Sequence, residues 1–358
     1  MQHTPSHIFF LPDWRSGNPY QNLLATGVRS AGYSINFANY PSTTFPLLSL
    51  LRAHSAVSVI HLHWINAYLA PILWSGNRLK FYIRLLQMAA DVLLVQMRGV
   101  KVVWTVHNRF SHESEHPARE IIARRLLARL VSRMIFHSED ARAEIQRLLA
   151  INLLRRSVVI PHGHYIGLYP TDASRERQLR SQFEIKDDDT VLLFFGNLRR
   201  YKGISQLLHA FQLAPHCRLK LIIAGKPFDQ GLAEEVATAS KNDPRIQPYL
   251  DFIPDVDVGP LYAVSHIAVI PFERTLTSGS AILALSQGKA LLLPEEARLI
   301  GLPDQRGTVF YGNDGLLETL QQLPSKAELA AMGKMNFEAA KTLDWKTIGR
   351  QVAKVYTH

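Results

Sequence analysis

One stretch of the chain combines a strand, a basic loop and a helix start in an order that suits an anion. The apolar run 191–195 predicts a strand, and the helix-like segment 204–211 follows a loop that carries Arg199, Arg200 and Lys202. Free N–H groups and the positive end of a helix dipole favour phosphate at such a point, and Arg and Lys add charge-assisted hydrogen bonds. The loop therefore predicts a phosphate site. A solvated basic turn is the alternative, above all for Arg200.

Two further loops of the C-terminal half have the same character. Ser278 and Gly279 precede a buried-looking helix, 281–287, so a phosphate there would meet a helix N-terminus, with simple capping by Ser278 as the alternative. Lys226 follows a predicted strand and either contacts a phosphate or lies in a solvated turn. The predicted ligands in these loops are Gly225, Lys226, Thr277, Ser278, Gly279 and Ser280.

The elements that must position these loops form an α/β pattern. Apolar runs typical of strands alternate with helical patterns, which predicts βαβ units and parallel sheets. The polar stretch 166–190 predicts a linker between two Rossmann-like domains, 1–165 and 166–340, and the final helix within 341–358 is expected to cross back to the first. Ligands bind beyond the carboxyl ends of such strands, here in a cleft between the domains. The predicted strands are 7–11, 34–38, 57–63, 100–107, 133–137, 158–161, 191–195, 219–224, 246–249, 267–270 and 290–293.

Length and composition agree with two globular domains. The chain has 358 residues, 47% of them hydrophobic, and a single cysteine, Cys217, so no internal disulfide can form. The N-terminal sequence lacks the pattern of a signal peptide, and no uncharged apolar run reaches the length of a membrane span. These features predict a cytoplasmic protein.

The positive charge is confined to one half of the chain. Residues 1–165 hold 18 Lys and Arg against 8 Asp and Glu, whereas residues 166–358 hold 22 of each. Such asymmetry predicts an anionic partner, nucleic acid or a membrane surface, for the first half alone. The segments 77–97 and 45–52 join apolar to basic residues and favour the membrane, with burial in the core as the alternative. A nucleic-acid protein would need Arg-aromatic platforms or a helix-turn-helix, and neither pattern is present.

A series of motifs, in order along the chain, resembles a known family. It comprises 18-NPY-20, 61-HLHW-64, 105-TVHN-108 followed by His112-Glu113, 161-PHGHY-165, 201-YKG-203, 224-AGKP-227 and 277-TSGS-280 running into 284-ALS-286. The set is similar to the GT-B glycosyltransferases of bacterial exopolysaccharide assembly, and among them to the xanthan-type β-mannosyltransferases. The resemblance spans the chain from about residue 17 to Trp345.

The resemblance implies a reaction as well as a fold. A sugar would pass, with inversion and without a metal or other cofactor, from a GDP-sugar or UDP-sugar to an oligosaccharide on a polyprenyl diphosphate, with GDP-mannose the first choice of donor. The enzyme would lie on the inner face of the cell membrane and bind no nucleic acid. A retaining GT-B enzyme with another donor, a nucleic-acid-binding protein and a catalytically idle scaffold are the alternatives. The Glu pair of the retaining families is absent, because Thr275 and Leu283 stand at its positions.

The resemblance, together with position along the predicted strands, gives the remaining candidate residues. An inverting transfer needs a general base; Glu113 is the first choice and Asp13 the second, with His112 and Glu115 also considered. His107 is expected to contact sugar or phosphate, and Phe252 and Ile253 to flank the nucleotide base unless they are core. The predicted acceptor or cleft residues are Asn18, Tyr20, His63, Trp64, Asn108, His112, His162, His164 and Tyr165, with a hinge as the alternative for the loop 162–165. His61 and His63 face one side of a strand with no third ligand in view, so no metal site is expected.

Overall fold

The computed structural model of the protein describes residues 7–54, 56–110, 116–214, 218–272, 275–312 and 315–357. The chain divides into two compact units. Unit 1 comprises Met1–Gly163, Leu299–Gly301 and Asp344–His358, and unit 2 comprises His164–Arg298 and Leu302–Leu343. The chain thus leaves unit 1 near its middle and returns to it for the last helix.

Unit 1 is built on a six-stranded sheet in the order β2-β1-β3-β4-β5-β6, with every pair of neighbours parallel. The strands are apolar on both faces, as expected where helices cover both sides of a parallel sheet. The strands are β1 (His7–Leu11), β2 (Ser34–Phe37), β3 (Val57–Leu62), β4 (Lys101–Thr105), β5 (Arg133–Phe136) and β6 (Ser157–Val159). The helices are α1 (Tyr20–Arg29), α2 (Pro46–Ala53), α3 (Asn66–Leu73), α4 (Arg78–Gln96), α5 (Pro117–Leu130), α6 (Glu139–Leu149) and, from the end of the chain, α14 (Trp345–Thr357).

Helix α14 packs against α1 through facing glycines. A methyl group on Gly27 would lie 2.1 Å from the carbonyl oxygen of Trp345, and one on Gly349 would lie 2.1 Å from the carbonyl carbon of Gly27. The helix also reaches the sheet, because the Tyr356 hydroxyl lies 2.7 Å from Nδ1 of His61 in β3. The last helix is therefore part of the core of unit 1.

Unit 2 repeats the architecture with a six-stranded parallel sheet in the order β12-β11-β10-β7-β8-β9. Its strands are β7 (Thr190–Phe195), β8 (Leu219–Ala224), β9 (Ile246–Tyr249), β10 (Ile267–Val269), β11 (Ala290–Pro294) and β12 (Thr308–Tyr311). Its helices are α7 (Ala173–Gln182), α8 (Ile204–Leu213), α9 (Gln230–Asn242), α10 (Asp255–Ala263), α11 (Gly279–Ser286), α12 (Leu316–Gln321) and α13 (Lys326–Lys341), with 3-10 turns at Arg200–Lys202 and Glu295–Ile300.

Two segments differ from the sequence-based expectation. The stretch 166–190, expected as a linker, contains α7, which Arg175 fixes to α10 by a two-pronged ion pair with Asp257 at 2.6 and 2.8 Å. The segment 45–52, expected at a membrane surface, forms α2, whose residues Leu47, Leu48 and Leu50 are buried. The apolar side of α2 is therefore buried in the core, which was the alternative to contact with a membrane.

Helix α4 has apolar side chains on two faces. One face, which includes Phe81, Leu85 and Met88, is buried in unit 1. The other face is exposed, with Leu79 70% and Leu86 69% accessible. The exposed apolar face of α4 consists of Leu79, Tyr82, Ile83, Leu86, Leu93 and Met97. Over the residues described, no helix combines the length and the apolarity needed to cross a bilayer.

Candidate functional site

In unit 2 the loop after β7 runs beside the end of β8. The amide of Gly196 donates to the carbonyl of Ala224 at 3.0 Å, and the amide of Leu198 donates to the carbonyl of Lys226 at 2.9 Å. Gly225 has a φ of 149°, and a methyl group there would stand 2.1 Å from the carbonyl oxygen of Gly196. Only glycine permits this approach, which brings the carboxyl ends of the two strands together as one surface.

Lys202 and Ser280 both lie close to Gly196. A methyl group on Gly196 would lie 3.6 Å from Lys202 Nζ and 3.5 Å from Ser280 Oγ. Lys202 is half-buried, and within the described part of the chain its ammonium forms no ion pair. Burial lowers its pKa to about 8, and the charge of Arg199 adds to the shift. A partly desolvated cation without a carboxylate is a site that an anion would stabilise.

The N-terminus of α11 lies at the same place. The Ser278 hydroxyl is buried and accepts a hydrogen bond from the amide of Ala281 at 3.1 Å, so Ser278 is the N-cap of the helix. The Ser278 side chain thus has the capping role that was the alternative to phosphate binding. Ser280, in the first turn, is half-buried, and its hydroxyl lies near Gly196, as does the ammonium of Lys202. Gly279 and Ser280 are the predicted donor ligands that the structure brings to the Lys202 loop.

Tyr165, expected on the acceptor side, lies in unit 2 beside these residues. A methyl group on Gly279 would stand 3.4 Å from the Tyr165 hydroxyl. The Tyr165 amide donates to the hydroxyl of Ser286 in α11 at 2.9 Å, and burial raises the pKa of the phenol. Its neighbour His164 is also in unit 2, where its amide donates to the carbonyl of Leu343 at 3.0 Å.

The two arginines of the loop have different surroundings. The Arg199 guanidinium lies over the ring of Phe228, 4.0 Å from its centroid. The exposed Arg200 pairs instead with Asp229 at 3.0 Å, which agrees with the solvated alternative. The contact of Phe228 with Arg199 was not predicted, because an aromatic residue two positions after Lys226 does not by itself indicate a binding site.

The remaining donor candidates divide between surface and core. Lys226 is exposed, which agrees with the alternative that it lies in a solvated turn. Phe252 is 65% accessible, whereas its neighbour Ile253 is buried at 8%. The carbonyl of Thr277 accepts from the Thr275 hydroxyl at 2.6 Å, which ties down the loop before α11. A role for Phe252 beside a nucleotide base stays a prediction, and Ile253 belongs to the core.

In unit 1, histidines collect at the carboxyl ends of four strands. His63, His107, His137 and His162 follow β3, β4, β5 and β6, and parallel strands end at one edge of a sheet. The ring of Tyr20, at the start of α1, lies among them at centroid distances of 5.7, 5.0, 5.8 and 4.9 Å respectively. Trp64 and Trp345 complete the histidine cluster. His137 was missed, although a polar residue directly after a strand is a usable signal.

The ring nitrogens of this cluster are unequally satisfied. His63 Nδ1 lies 3.3 Å from His107 Nε2, and His137 Nδ1 lies 2.9 Å from the carbonyl oxygen of Ile160. In the described structure, Nε2 of His63 and Nε2 of His137 are buried without a hydrogen-bond partner. By contrast His61 contacts Tyr356 and Thr105, at 2.7 Å each, and has a structural role. Buried polar atoms without partners indicate where a ligand could bind.

These imidazoles are neutral near pH 7. Burial lowers the pKa of His137 to about 4 and that of His162 to about 3, and it holds the pKa of His63 and His107 well below 6.5. Mutual repulsion of positive charge adds to the shifts of His63, His107 and His162. A neutral imidazole offers one donor and one acceptor, so the cluster suits hydroxyl groups rather than a charged phosphate.

Of the two favoured candidates for the general base, one is visible. Asp13 follows β1 and is held by Arg15 through two contacts of 2.8 Å. The Arg15 guanidinium lowers the pKa of the Asp13 carboxyl, so in this conformation Asp13 is a weakened base. Glu113, with His112 and Glu115, lies outside the described residues, and its role stays a prediction.

Asn18 and Asn108 make structural hydrogen bonds, the first through its side chain and the second through its backbone carbonyl. The Asn18 side chain accepts from the Tyr20 amide at 3.0 Å and so sets the start of α1. The Asn108 carbonyl accepts from Arg124 at 3.1 Å, and Arg124 is paired in the core with Glu120 at 2.7 Å. Both asparagines thus help to position the histidine cluster. The described residues include no group of three or more His, Cys, Asp or Glu arranged to hold a metal ion.

Comparisons with known proteins agree with this architecture. Residues 175–286 match the family profile described as Glycosyl transferases group 1. A GDP-mannose:glycolipid 4-beta-D-mannosyltransferase of Xanthomonas campestris pv. campestris is 28% identical over 261 residues, covering 71% of this chain and 66% of the relative. A protein of the same name from another strain of that organism is 29% identical over 247 residues, covering 67% of this chain and 62% of the relative. The match thus spans just under two thirds of these relatives' own length.

Solved structures extend the agreement to nearly the whole chain. Anabaena Alr3699/HepE in complex with UDP and glucose superposes with a TM-score of 0.74 at 14% identity, covering 99% of both chains. The sucrose-phosphate synthase of Thermosynechococcus elongatus gives a TM-score of 0.75 at 14% identity, covering 99% of this chain and 98% of the other. The matches confirm the resemblance indicated by the motifs. The chain has the two-unit α/β GT-B fold of glycosyltransferases, with a group 1 glycosyl transferase segment at residues 175–286.

Proposed function

We propose that the chain is an inverting, metal-independent glycosyltransferase that moves a sugar, with mannose favoured, from a nucleotide diphosphate to a lipid-linked oligosaccharide. The observation that carries the proposal is the Lys202 ammonium, without an ion-pair partner among the described residues, beside Ser280 at the start of α11. The names of the two Xanthomonas relatives support mannose as the sugar and a glycolipid as the acceptor.

In this reaction the acceptor hydroxyl attacks the anomeric carbon from the face opposite the nucleotide. The bond from that carbon to the diphosphate breaks, and the base takes the hydroxyl proton, with Glu113 first and Asp13 second as candidates. Negative charge grows on the leaving diphosphate, and we expect Lys202, Arg199 and the first amides of α11 to stabilise it, since Lys202 and Ser280 both lie near Gly196 and Arg199 belongs to the same loop as Lys202. Positive groups of the chain thereby serve where other enzymes use a divalent cation.

The acceptor sugar is assigned to the histidine cluster of unit 1. Its imidazoles are neutral, two ring nitrogens have no partner in the described structure, and Trp64 stacks on His107 at 4.7 Å. Neutral donors and acceptors next to aromatic rings suit sugar hydroxyls and sugar faces. Inverting transfer would require the acceptor and donor to meet during the reaction.

A transfer assay tests the proposal. The purified chain is incubated with GDP-mannose and a polyprenyl-diphosphate oligosaccharide, with and without EDTA, and the anomeric configuration of the product is read by NMR. We expect an inverted mannosyl linkage and unchanged turnover in EDTA. A product with retained configuration, or activity that depends on added metal, contradicts the proposal.

A second candidate differs in donor and stereochemistry. It is a retaining enzyme that uses a UDP-sugar, and the UDP and glucose in the solved HepE structure support that donor. Thermal-shift titration with GDP, UDP and their sugars separates the two donors, because a ligand that binds only the folded state raises its stability. Stabilisation by UDP-glucose but not by GDP-mannose would favour this alternative.

The exposed apolar face of α4 supports docking on the inner face of the cell membrane. Arg78, Lys80 and Arg84 lie exposed along the same helix, and basic amphipathic helices bind in the interface of anionic bilayers. Replacing Leu79 and Leu86 by Ser removes apolar area without changing the charge. We expect this double variant to lose vesicle binding and to keep nucleotide binding; unchanged binding to vesicles would contradict docking by this face.

A further inference from the structure

A basic cavity, shallow and widely open to solvent, lies in unit 1 at the opposite edge of the sheet from the histidine cluster. It has a volume of about 580 Å³ and is formed where α4 and α5 end and where β5 and β6 begin. No acidic residue is among those that line it. Its lining is Leu93, Gln96, Arg129, Leu130, Val131, Ser132, Arg133, Arg155 and Arg156. The reaction proposed above uses none of these residues.

Among the residues that the structure describes, no carboxylate neutralises the four arginines of the cavity. Within the described residues, none of Arg129, Arg133, Arg155 and Arg156 takes part in an ion pair. Arg129 and Arg155 are exposed, and their guanidinium groups make no hydrogen bond in that part of the chain. Like charges at this density repel one another, so an anion would be stabilised here.

The backbone that carries these arginines is held by hydrogen bonds. Gln96 donates to the carbonyl of Leu130 at 2.8 Å and to the Ser132 hydroxyl at 3.2 Å, and so joins the ends of α4 and α5. The amide of Met134 donates to the carbonyl of Arg156 at 2.8 Å. Guanidinium groups on a fixed frame lose less freedom when they bind an anion than the same groups on a loop.

The position of the cavity decides which anion it would take. Leu93 lines the cavity and also belongs to the exposed apolar face of α4, and Met97, one turn further, is 80% accessible. The apolar face of α4 could contact the acyl chains of a lipid, and the adjoining cationic cavity could contact its phosphate headgroup. We infer that the cavity binds the phosphate of an anionic phospholipid headgroup while the face of α4 lies in the bilayer.

This inference rests on the proposed membrane docking and adds lipid selectivity to it. Its test is co-sedimentation of the full chain with phosphatidylcholine vesicles, with and without phosphatidylglycerol. The variant Arg129→Gln with Arg155→Gln removes two charges without touching the apolar face. The matched control, Arg177→Gln with Lys354→Gln, removes two charges from exposed sites elsewhere. Tryptophan fluorescence checks that both variants are folded.

We expect the cavity variant to bind phosphatidylglycerol vesicles about ten- to thirty-fold more weakly than the unchanged chain, from the attraction that each basic residue contributes near an anionic surface. The affinity of the control variant for phosphatidylglycerol vesicles should fall about three-fold or less. Binding to phosphatidylcholine alone should be equal for all three proteins. Equal losses for cavity variant and control would overturn the inference, because general charge would then explain the binding.

Three further outcomes separate the inference from its premises. If the unchanged chain binds neutral and anionic vesicles equally well, docking stands and the headgroup site is wrong; if it binds neither, both are wrong. A thermal shift with glycerol phosphate but no preference for anionic vesicles would assign the cavity to a free phosphate instead. Nucleotide binding, measured separately, decides the transferase proposal independently of all these results.

Discussion

Polar side chains of opposite character lie at the carboxyl ends of the two sheets. In unit 2, Lys202 is a partly buried cation whose pKa falls to about 8. In unit 1, burial keeps the imidazoles of the histidine cluster neutral, with the pKa of His162 at about 3. The first arrangement attracts negative charge, whereas the second offers hydrogen bonds without charge. This division is the chemistry expected of a donor diphosphate and an acceptor sugar.

Lys202→Ala should weaken donor binding. A hydrogen bond to a charged group contributes about 1.5–3 kcal/mol, so we expect the Kd of GDP-mannose to rise about ten- to one-hundred-fold. Isothermal titration calorimetry measures the change. The exposed Lys226, replaced by Ala, is the matched control and should shift the Kd far less. If the two variants bind the donor alike, the loop assignment is wrong.

Ser278 and Ser280 separate capping from ligand binding. Ser278→Ala removes the N-cap of α11 and should lower the free energy of unfolding by about 0.5–2 kcal/mol. Ser280→Ala removes a hydroxyl that caps nothing in the described structure, so it should leave stability unchanged and weaken donor binding. Urea unfolding and donor titration on both variants make the comparison. A stability loss in Ser280→Ala with normal donor affinity would assign it a structural role.

At the scale of elements, the fold was more predictable than the surroundings of the site. Apolar runs predicted the strands, since both faces of a parallel sheet are buried, and the phosphate loop followed from a strand, a glycine and basic residues. Helix α7 was missed because it is polar throughout, with Leu179 its one buried residue. The apolar residues of α2 were assigned to a membrane because periodicity cannot tell a buried face from a lipid-facing one.

The histidine cluster could be predicted only in part. His63, His107 and His162 each stand near the end of a predicted strand, so their shared edge follows from parallel pairing. That Tyr20 packs among them, and that Trp345 arrives from the end of the chain, depends on contacts between residues more than 300 positions apart. Local patterns do not carry such information.

The contact between α1 and α14 predicts that Gly349→Ala destabilises the protein, which is the opposite of what helix propensity alone predicts. Helix propensity alone would make Gly349→Ala stabilising by about 1 kcal/mol. The new methyl group would instead overlap the backbone of Gly27, and overpacking of this kind costs about 1–3 kcal/mol. We therefore expect a lower urea midpoint. Gly76→Ala, with no atom within 4 Å of the new methyl group, is the control, and a stabilised Gly349→Ala would refute the packing described.

At the scale of the whole molecule, the two units should respond differently to acid. Buried imidazoles have folded-state pKa values below the ordinary 6.5, about 3 for His61 and about 4 for His137. Between pH 6.5 and about 4 the unfolded chain therefore binds protons that the folded chain does not, and stability falls as the pH falls. Five such histidines lie in the described part of unit 1, whereas in unit 2 a lowered pKa of this kind is found for His266. Unit 1 should unfold first.

The tryptophans allow this order to be measured. All five, at positions 14, 64, 74, 104 and 345, belong to unit 1. Their fluorescence reports unit 1 alone, while far-UV circular dichroism reports both units. As the pH is lowered, we expect the fluorescence to change first, when unit 1 unfolds. The circular dichroism should change partly at that pH and partly at a lower pH, where unit 2 unfolds. Coincident transitions at every pH would contradict independent acid responses.

The return of α14 to unit 1 has a consequence for how the protein is made. The glycine that accepts α14, Gly27, leaves the ribosome early, whereas its partner Gly349 is translated only after all of unit 2. Unit 2 can complete its sheet while unit 1 still waits for its last helix. During that interval the nascent chain exposes the surface of α1 around Gly27, and a chaperone that covers this surface would keep it from contacting other molecules.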